Sequence, residues 1–135
     1  MTFALDNSVA MRWCFEPTHL YAESILDRLE AGEDAIVPVL WFYEGSSVLS
    51  RAQNRGTLSG RKADEFIVEL QSLNIRRDPQ SAARVFRDVH QLALTYRLTS
   101  YDAAYLELAL RRGLPIATLD DDLIQASKAA GVAVL

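Results

Sequence analysis

Residues 115–127, PIATLDDDLIQAS, contain a short apolar strand pattern, an acid at its end and an amphipathic helix pattern directly after it. Residues 2–15, TFALDNSVAMRWCF, show the same order, with Asp6 at the end of the strand pattern. Between these two stretches, short apolar runs alternate with helical patterns. Such alternation predicts a parallel sheet covered by helices on both faces. We therefore predict an α/β fold, a three-layer α/β/α sandwich.

The apolar periodicity gives approximate bounds for the elements. Strands are predicted over residues 2–6, 34–38, 75–77, 115–119 and 132–135, of which 75–77 is the weakest. Helices are predicted over residues 8–15, 19–31, 40–54, 59–73, 78–97, 101–112 and 121–130. The start of the helix predicted over residues 78–97 rests on residue chemistry as well as periodicity, since Asp78-Pro79 combines an N-cap residue with a first-turn proline.

Length and composition indicate one folded domain over residues 1–135, because no Gly-, Ser- or Pro-rich linker divides the chain. Hydrophobic residues make up 50% and charged residues 24% of the sequence, which excludes disorder. A single cysteine, Cys14, excludes a disulfide framework and a cysteine-rich zinc site. The net charge of −4 disfavours a protein that coats nucleic acid, but permits an enzyme with a local basic patch.

Targeting and membrane segments are not expected. The first residues lack a basic n-region, and Asp6 interrupts their apolar stretch. The longest apolar run, residues 36–43, is far shorter than the roughly 20 residues that span a bilayer. We therefore expect a cytoplasmic protein without membrane contact.

Three acids are predicted to meet at one edge of the sheet. Asp6 and Asp120 end strands, and Glu44 lies one turn into the helix after the second strand. The carboxyl ends of parallel strands share an edge, and ligands bind there. Asp102 does not follow from this argument, because its helix leads into a strand and should begin at the opposite edge unless the chain first crosses over.

Each acid also has a structural explanation. Asp6 and Asp120 could cap the helices that follow them, Asp102 has capping-box spacing from Thr99, and Glu44 could interact with its helix dipole. The functional alternative is a shared hard divalent cation, since clustered carboxylates repel one another without one, and Mg²⁺ or Mn²⁺ prefers oxygen ligands. Such a metal suits phosphodiester hydrolysis.

Four ordered motifs resemble the PIN-domain ribonucleases, and specifically the VapC-type toxins of toxin–antitoxin pairs. ALDNSVAMRW resembles the opening strand of the family, and PVLWFYEGSSVL resembles the helix that carries its glutamate. LTSYDAAYLELAL resembles the Asp-Ala-x-Tyr-Leu helix, and LPIATLDDDLIQAS resembles the Thr-x-Asp strand end. The resemblance covers nearly the whole chain.

The resemblance implies a metal-dependent endoribonuclease with a parallel five-stranded sheet, in which four carboxylates bind Mg²⁺ or Mn²⁺: Asp6, Glu44, Asp102 and Asp120. Asp6 and Asp120 are expected as direct ligands, and the other two as ligands or as groups that position a water on the metal. Ser8 and Thr118 match accessory hydroxyls of the family. An RNA substrate, a cognate antitoxin and a homodimer are the implied partners.

Two features depart from the family pattern or complicate it. Ser47 stands where an asparagine is common, three residues after the helix glutamate, so the support of Glu44 is in question. The run Asp120-Asp121-Asp122 offers three acids, of which Asp120 has the matching spacing from Thr118. Asp122 is predicted to be a solvated first-turn acid or an outer helper.

Two further patterns indicate binding surfaces. Between residues 50 and 62 the charged residues are all basic, and we predict that Arg51 and Arg55 contact RNA, against the alternative of a solvated helix end. The aromatic residues Trp13, Trp41, Phe42 and Tyr43 are expected to pack in the core or to form an apolar groove for an antitoxin or dimer partner. Adjacent Trp41 and Phe42 cannot both face one core.

Two other functions remain open on the sequence. A non-catalytic interaction module could keep this fold, although all four matching acids are retained. A phosphoacceptor signalling domain is disfavoured, because Asn7-Ser8 follow Asp6 where paired acids would be expected, and no lysine follows the last predicted strand.

Overall fold

The structure is a computed structural model that describes residues 1–79 and 82–135. Its strands are β1 (Thr2–Leu5), β2 (Asp34–Val37), β3 (Ile75–Arg77) and β4 (Ile116–Ala117). Its α-helices are α1 (Asn7–Phe15), α2 (Leu20–Glu30), α3 (Leu40–Asn54), α4 (Gly60–Ser72), α5 (His90–Tyr96), α6 (Ser100–Arg112) and α7 (Asp121–Ala129), and a π-helical segment, Val85–Val89, precedes α5. Most predicted elements are confirmed to within two residues.

The sheet is parallel, with the strand order β3-β2-β1-β4. The described residues form four strands, so the prediction of a fifth at residues 132–135 is wrong. Val134 forms only an isolated parallel bridge with Ile116. Since β4 has just two residues, it offers the C-terminal segment one bridge, flanked by hydrogen bonds from Ile116 N–H to Ala133 O and from Leu135 N–H to Ile116 O.

The core surrounds β1, which is one of the two inner strands, lies between β2 and β4, and is buried on both faces. Phe3, Ala4 and Leu5 are fully buried. A strand covered on both faces is apolar throughout instead of alternating, which explains the continuous apolar pattern before Asp6. Helix α6 contributes the largest buried helix segment, Ala103–Ala109. This arrangement fixes the carboxyl end of β1 and the start of α6 against the same core.

The segment between β3 and α6 differs from the single helix predicted over residues 78–97. Residues 80 and 81 of that prediction lie outside the described residues, and the α-helix named above begins only at His90. The Asp78 carboxylate is 1% exposed and accepts hydrogen bonds from Arg111 and Arg112, whereas the residues that a cap at this position would contact lie outside the described residues. Arg84 lies beside Glu107, with Nη1 3.8 Å from Oε1.

These contacts make the segment run antiparallel to α6, since Asp78 meets the end of α6 and Arg84 meets its middle. The chain therefore crosses over before α6 begins. In the described residues, no helix is both long enough and apolar enough to span a membrane.

Candidate active site

A cavity of about 390 Å³ brings the predicted acids together at the carboxyl ends of β1 and β4. We call it the acid cavity. Its lining contains four carboxylates, namely Asp6, Glu44, Asp102 and Asp120. The other lining residues are Asn7, Ser8, Ser47, Val48 and Arg51. The crossover before α6 explains how Asp102 reaches this edge, which the strand-order argument left open and the family resemblance implied.

Asp6 is the most buried of the four acids, with 5% of its surface exposed. Its Oδ2 accepts hydrogen bonds from the hydroxyls of Ser8 and Thr118, both at 2.7 Å. Burial raises the pKa of Asp6, while the two hydroxyls lower it and the charge of Asp120 raises it further. Asp6 precedes α1 but makes no capping hydrogen bond to it, so the capping explanation does not account for this acid.

Ser8 and Thr118 also hold the neighbouring loop. Ser8 Oγ accepts the backbone N–H of Leu119 at 3.1 Å, and Thr118 Oγ1 accepts that of Asp120 at 3.0 Å. Each hydroxyl therefore donates to Asp6 and accepts from the chain that leads to Asp120. The pair joins the ends of β1 and β4, which fixes Asp6 relative to Asp120.

Asp120 both caps a helix and lines the acid cavity. Its Oδ1 accepts the backbone N–H of Leu123 at 3.0 Å and caps α7. The capping explanation is thus correct for one oxygen, while Oδ2 takes no part in the cap. The following acids Asp121 and Asp122 are exposed.

Asp102 lies in the first turn of α6, where the Thr99 hydroxyl accepts its backbone N–H at 3.1 Å. Its own carboxylate lines the acid cavity. Partial burial raises the pKa of Asp102 to about 6, and the charges of Asp120, Asp6 and Asp122 add to this shift. The influence of Asp122 is therefore electrostatic, and it does not line the cavity.

Glu44 projects from α3, and its Oε1 accepts the phenol O–H of Tyr105 at 2.6 Å. Partial burial raises the pKa of Glu44 to about 7; the Tyr105 hydrogen bond opposes this rise, and the charges of Asp6 and Asp102 add to it. Ser47, at the position where the family often has asparagine, also lines the cavity. Its hydroxyl makes no hydrogen bond to Glu44 in the structure; instead its backbone carbonyl accepts from Ser50.

The chemistry of these side chains fits a hard divalent cation. Four carboxylates share one cavity, and their mutual repulsion contributes to the raised pKa values of Asp6, Glu44 and Asp102. As the side chains stand, however, no three His, Cys, Asp or Glu residues within the described ranges are grouped closely enough to hold a metal ion. Simultaneous ligation by three of these acids would therefore require side-chain rotation, whereas Mg²⁺ can also be held by one or two carboxylates together with water.

The basic residues predicted to contact RNA separate in the structure. Arg51 lines the acid cavity, two turns along α3 from Glu44. Arg55 follows the end of the same helix and is not among the residues lining the cavity. Only Arg51 therefore lies beside the acids.

Sequence reasoning missed two residues of the site, Asn7 and Tyr105. Asn7 is buried and donates from Nδ2 to the backbone oxygen of Trp41 at 3.2 Å, joining α1 to α3. Tyr105 is fully buried against Glu44. The spacing from Asp102 to Tyr105 was a usable signal, because residues three apart on a helix share a face.

A separate apolar groove of about 480 Å³ lies between α1, α3, α4 and β3. Trp41 and Phe42 both line it, although Trp41 is 4% exposed and Phe42 is 45% exposed. The expectation that these neighbours divide between core and surface is confirmed. Met11, Leu49 and Leu70 are among the other apolar lining residues. The indole N–H of Trp41 is buried without a hydrogen-bond partner in the described chain.

Comparison with known proteins agrees with this architecture. The PIN domain family model matches residues 3–129. Ribonuclease VapC3 of Pyrobaculum aerophilum is 35% identical over 83 residues, which cover 62% of this chain and 63% of that protein. The aligned part thus spans less than two-thirds of that relative.

Two solved structures show the same fold at low sequence identity. PAE2754 from Pyrobaculum aerophilum superposes with a TM-score of 0.70 at 20% identity, covering 93% of this chain and 87% of the other. VapBC2 from Rickettsia felis, solved with a DNA fragment from its promoter, gives a TM-score of 0.72 at 10% identity, covering 100% and 98%. With a family model that spans nearly its full length, the chain belongs to the PIN-domain family.

Proposed function

We propose that this protein is a Mg²⁺- or Mn²⁺-dependent endoribonuclease and the toxin of a toxin–antitoxin pair. The observation that carries the proposal is that Asp6, Glu44, Asp102 and Asp120 line one cavity. Support also comes from the relative named as a ribonuclease. A cavity with four acids and one arginine is suited to gathering cations, and through them a phosphate-containing substrate.

The proposed roles of the residues follow from their contacts. Asp6 and Asp120 would bind the metal, held in register by the Ser8 and Thr118 hydroxyls. Glu44 and Asp102 would complete the ligand set or orient the attacking water. A divalent cation bound there would activate water and stabilise charge on the phosphoryl group.

Substrate binding would use the one cation of the cavity lining. Arg51 would contact the RNA backbone beside the acids, because a guanidinium matches the geometry of a phosphate. Arg55 lies further along the chain, so its contact with RNA would be more peripheral.

The test is RNA cleavage by purified, antitoxin-free protein in EDTA, Mg²⁺ or Mn²⁺. We expect cleavage that requires the metal and is lost in Asp6→Asn. The matched control is Asp121→Asn, which removes an exposed acid of the same neighbourhood and should leave cleavage intact. Metal binding is measured separately by titration of the apoprotein.

Each result has a distinct meaning. Metal binding without cleavage would keep the site and show that the RNA offered was not the substrate. Failure to bind Mg²⁺ or Mn²⁺, together with no cleavage of structured or unstructured RNA, would favour the non-catalytic interaction module. Equal activity of Asp6→Asn and wild type would remove Asp6 from the catalytic site.

The proposed protein partner is an antitoxin that inserts an apolar segment into the groove beside Trp41 and Phe42. An acceptor on that segment could satisfy the indole N–H of Trp41. Phe42→Glu, on the exposed side of the groove, should abolish inhibition by a cognate antitoxin, which would be sought as a small protein encoded beside this gene. Leu20→Glu is the control, because Leu20 is 83% exposed and does not line the groove.

The homodimer expected from the family remains a proposal. Sedimentation equilibrium of the purified chain tests it, with a mass near 30 kDa expected, roughly twice that of the 15.1 kDa chain. A monomer at all accessible concentrations would remove the dimer from the proposal without affecting the nuclease.

A further inference from the structure

Tyr105 lies where the elements that carry three of the acids meet. It is fully buried on α6, one turn after Asp102, and its phenol donates to Glu44 Oε1 on α3 at 2.6 Å. This hydrogen bond directly connects the helix of one acid with the side chain of another.

Helix α6 also packs against β1, the strand that ends directly before Asp6. Burial raises the pKa of Tyr105, and the charges of Asp6 and Glu44 raise it further, so the phenol stays protonated and donates its hydrogen bond. Tyr105 therefore binds Glu44 from the helix that carries Asp102 and that packs beside the strand leading to Asp6.

A purely structural role explains why the Tyr105 ring is buried, but not why its hydroxyl donates to a carboxylate of the acid cavity. A buried phenol needs a hydrogen-bond acceptor, and a backbone carbonyl would suffice. Here the acceptor is a cavity carboxylate on a flexible side chain, and hydrogen bonds to carboxylates are shorter and stronger than neutral ones. The rigid, enclosed ring can thus limit where the Glu44 carboxylate lies.

We propose that Tyr105 is a positioning residue, which fixes Glu44 relative to Asp102 and Asp6 by its hydrogen bond. The expected effect of Tyr105 on RNA cleavage rests on the proposed function, whereas its effect on the position of the Glu44 carboxylate does not. Tyr105 touches no substrate in this scheme and acts only through Glu44.

The experiment compares Tyr105→Phe with wild type, using Thr57→Val as a control. The Thr57→Val substitution also removes one partly buried hydroxyl hydrogen bond, from Thr57 to Ala52 O, but Thr57 lies outside the acid cavity. Crystal structures of the metal-free proteins should show the Glu44 carboxylate displaced in Tyr105→Phe only. Mn²⁺ affinity, followed by electron paramagnetic resonance of the free ion, should fall about tenfold or more, as for other residues that orient metal ligands.

Kinetics add a readout that a loss of stability would not produce. With RNA, we expect kcat to fall roughly 10- to 100-fold in Tyr105→Phe with little change in KM, because Glu44 is misplaced while Arg51 is not. 4-Aminophenylalanine at position 105 keeps a donor at the end of the ring and should restore Mn²⁺ affinity. It also provides a folded variant if Tyr105→Phe is unstable.

An unchanged Glu44 position together with unchanged Mn²⁺ affinity in Tyr105→Phe would overturn the inference. So would a 4-aminophenylalanine variant that binds Mn²⁺ no better than the phenylalanine variant. If the wild type neither binds Mn²⁺ nor cleaves RNA, the proposed nuclease fails, but the position of Glu44 in the two crystal structures still decides the geometric inference.

Discussion

The acid cavity and the Asp78 cluster both contain buried carboxylates, but the two regions compensate their charge differently. The Asp78 cluster consists of Asp78, Glu107, Arg84, Arg111 and Arg112. Its two acids are 1% and 4% exposed, and each lies within 4 Å of arginine nitrogens. Its carboxylates raise the pKa of Arg111, as expected for paired ions.

The acid cavity is lined by four acids and by a single arginine, Arg51. Within the described residues Arg51 makes no ion pair, and Asp6 is supported by neutral hydroxyls instead of cations. Buried charge normally requires a partner. The difference indicates that the Asp78 cluster is complete within the chain, whereas the acid cavity is suited to a cation from outside.

The largest expected effect is a difference in the free energy of unfolding between one variant in each region, Asp78→Asn and Asp6→Asn. Asp78→Asn leaves Arg111 and Arg112 without their shared carboxylate, and should lower the free energy of unfolding by about 3 kcal/mol. Asp6→Asn removes a charge that burial disfavours, so the free energy of unfolding should stay equal or rise. Urea unfolding at pH 7.5 in EDTA measures both, and a loss of similar size in both variants would contradict the comparison.

The second prediction concerns the pH dependence of the acid cavity. The folded pKa of Glu44 is about 7 against an ordinary 4.5, and that of Asp102 is about 6 against 3.8. Between the ordinary and the folded pKa of each acid, the folded protein binds more protons than the unfolded chain. The free energy of unfolding therefore falls as pH rises from about 4 to 7. The metal-free protein should melt several degrees higher at pH 5 than at pH 7.5.

The matched variant isolates the contribution of these two groups. Glu44→Gln/Asp102→Asn should make the difference between the melting temperatures at pH 5 and pH 7.5 clearly smaller. An identical pH dependence in wild type and double variant would show that the two acids titrate normally.

The third prediction tests whether the single arginine of the cavity faces substrate. Arg51→Gln should weaken RNA binding and reduce the slope of log K against log salt by about 0.7, the value for one phosphate contact on a single strand. Arg55→Gln should change the slope less, because Arg55 lies outside the cavity lining. Filter binding across a salt series measures both, and equal slopes for Arg51→Gln and wild type would exclude the contact.

The smallest expected effect concerns the close contact between α1 and α3 beside the acid cavity. A methyl group at Gly45 would meet Asn7 Nδ2 at 3.2 Å, a tight contact beside Asp6 and Glu44. Gly45→Ala should leave the free energy of unfolding within about 1 kcal/mol, because the strain offsets the better helix propensity of alanine. RNA cleavage should fall severalfold, since the spacing of α1 and α3 changes. Unaltered cleavage would show that this spacing is not critical.

The sequence predicted much of the fold because the relevant signals are local. Apolar periodicity located α3 at residues 40–54 without error, and the apolar run before Asp6 identified the buried central strand. The prediction was wrong at the C terminus, where the short β4 offers Val134 only one bridge. After β3, the predicted helix is confirmed over the described residues 85–96, but as a π-helical segment followed by α5. The contacts of Asp78 with the arginines of α6 were not predictable, because those partners are distant in the chain.

The sequence by itself determined the α/β class and the meeting of Asp6, Glu44 and Asp120 at one edge, because parallel strands share the direction of their carboxyl ends. The family resemblance implied that Asp102 joins them, but only the tertiary structure explains how, since this requires the crossover that packs against α6. It also decided that Asp78 is neutralised by arginines while Asp6 is not. Both acids follow strands, and no local pattern distinguishes them, because the compensating charges come from residues more than 30 positions away.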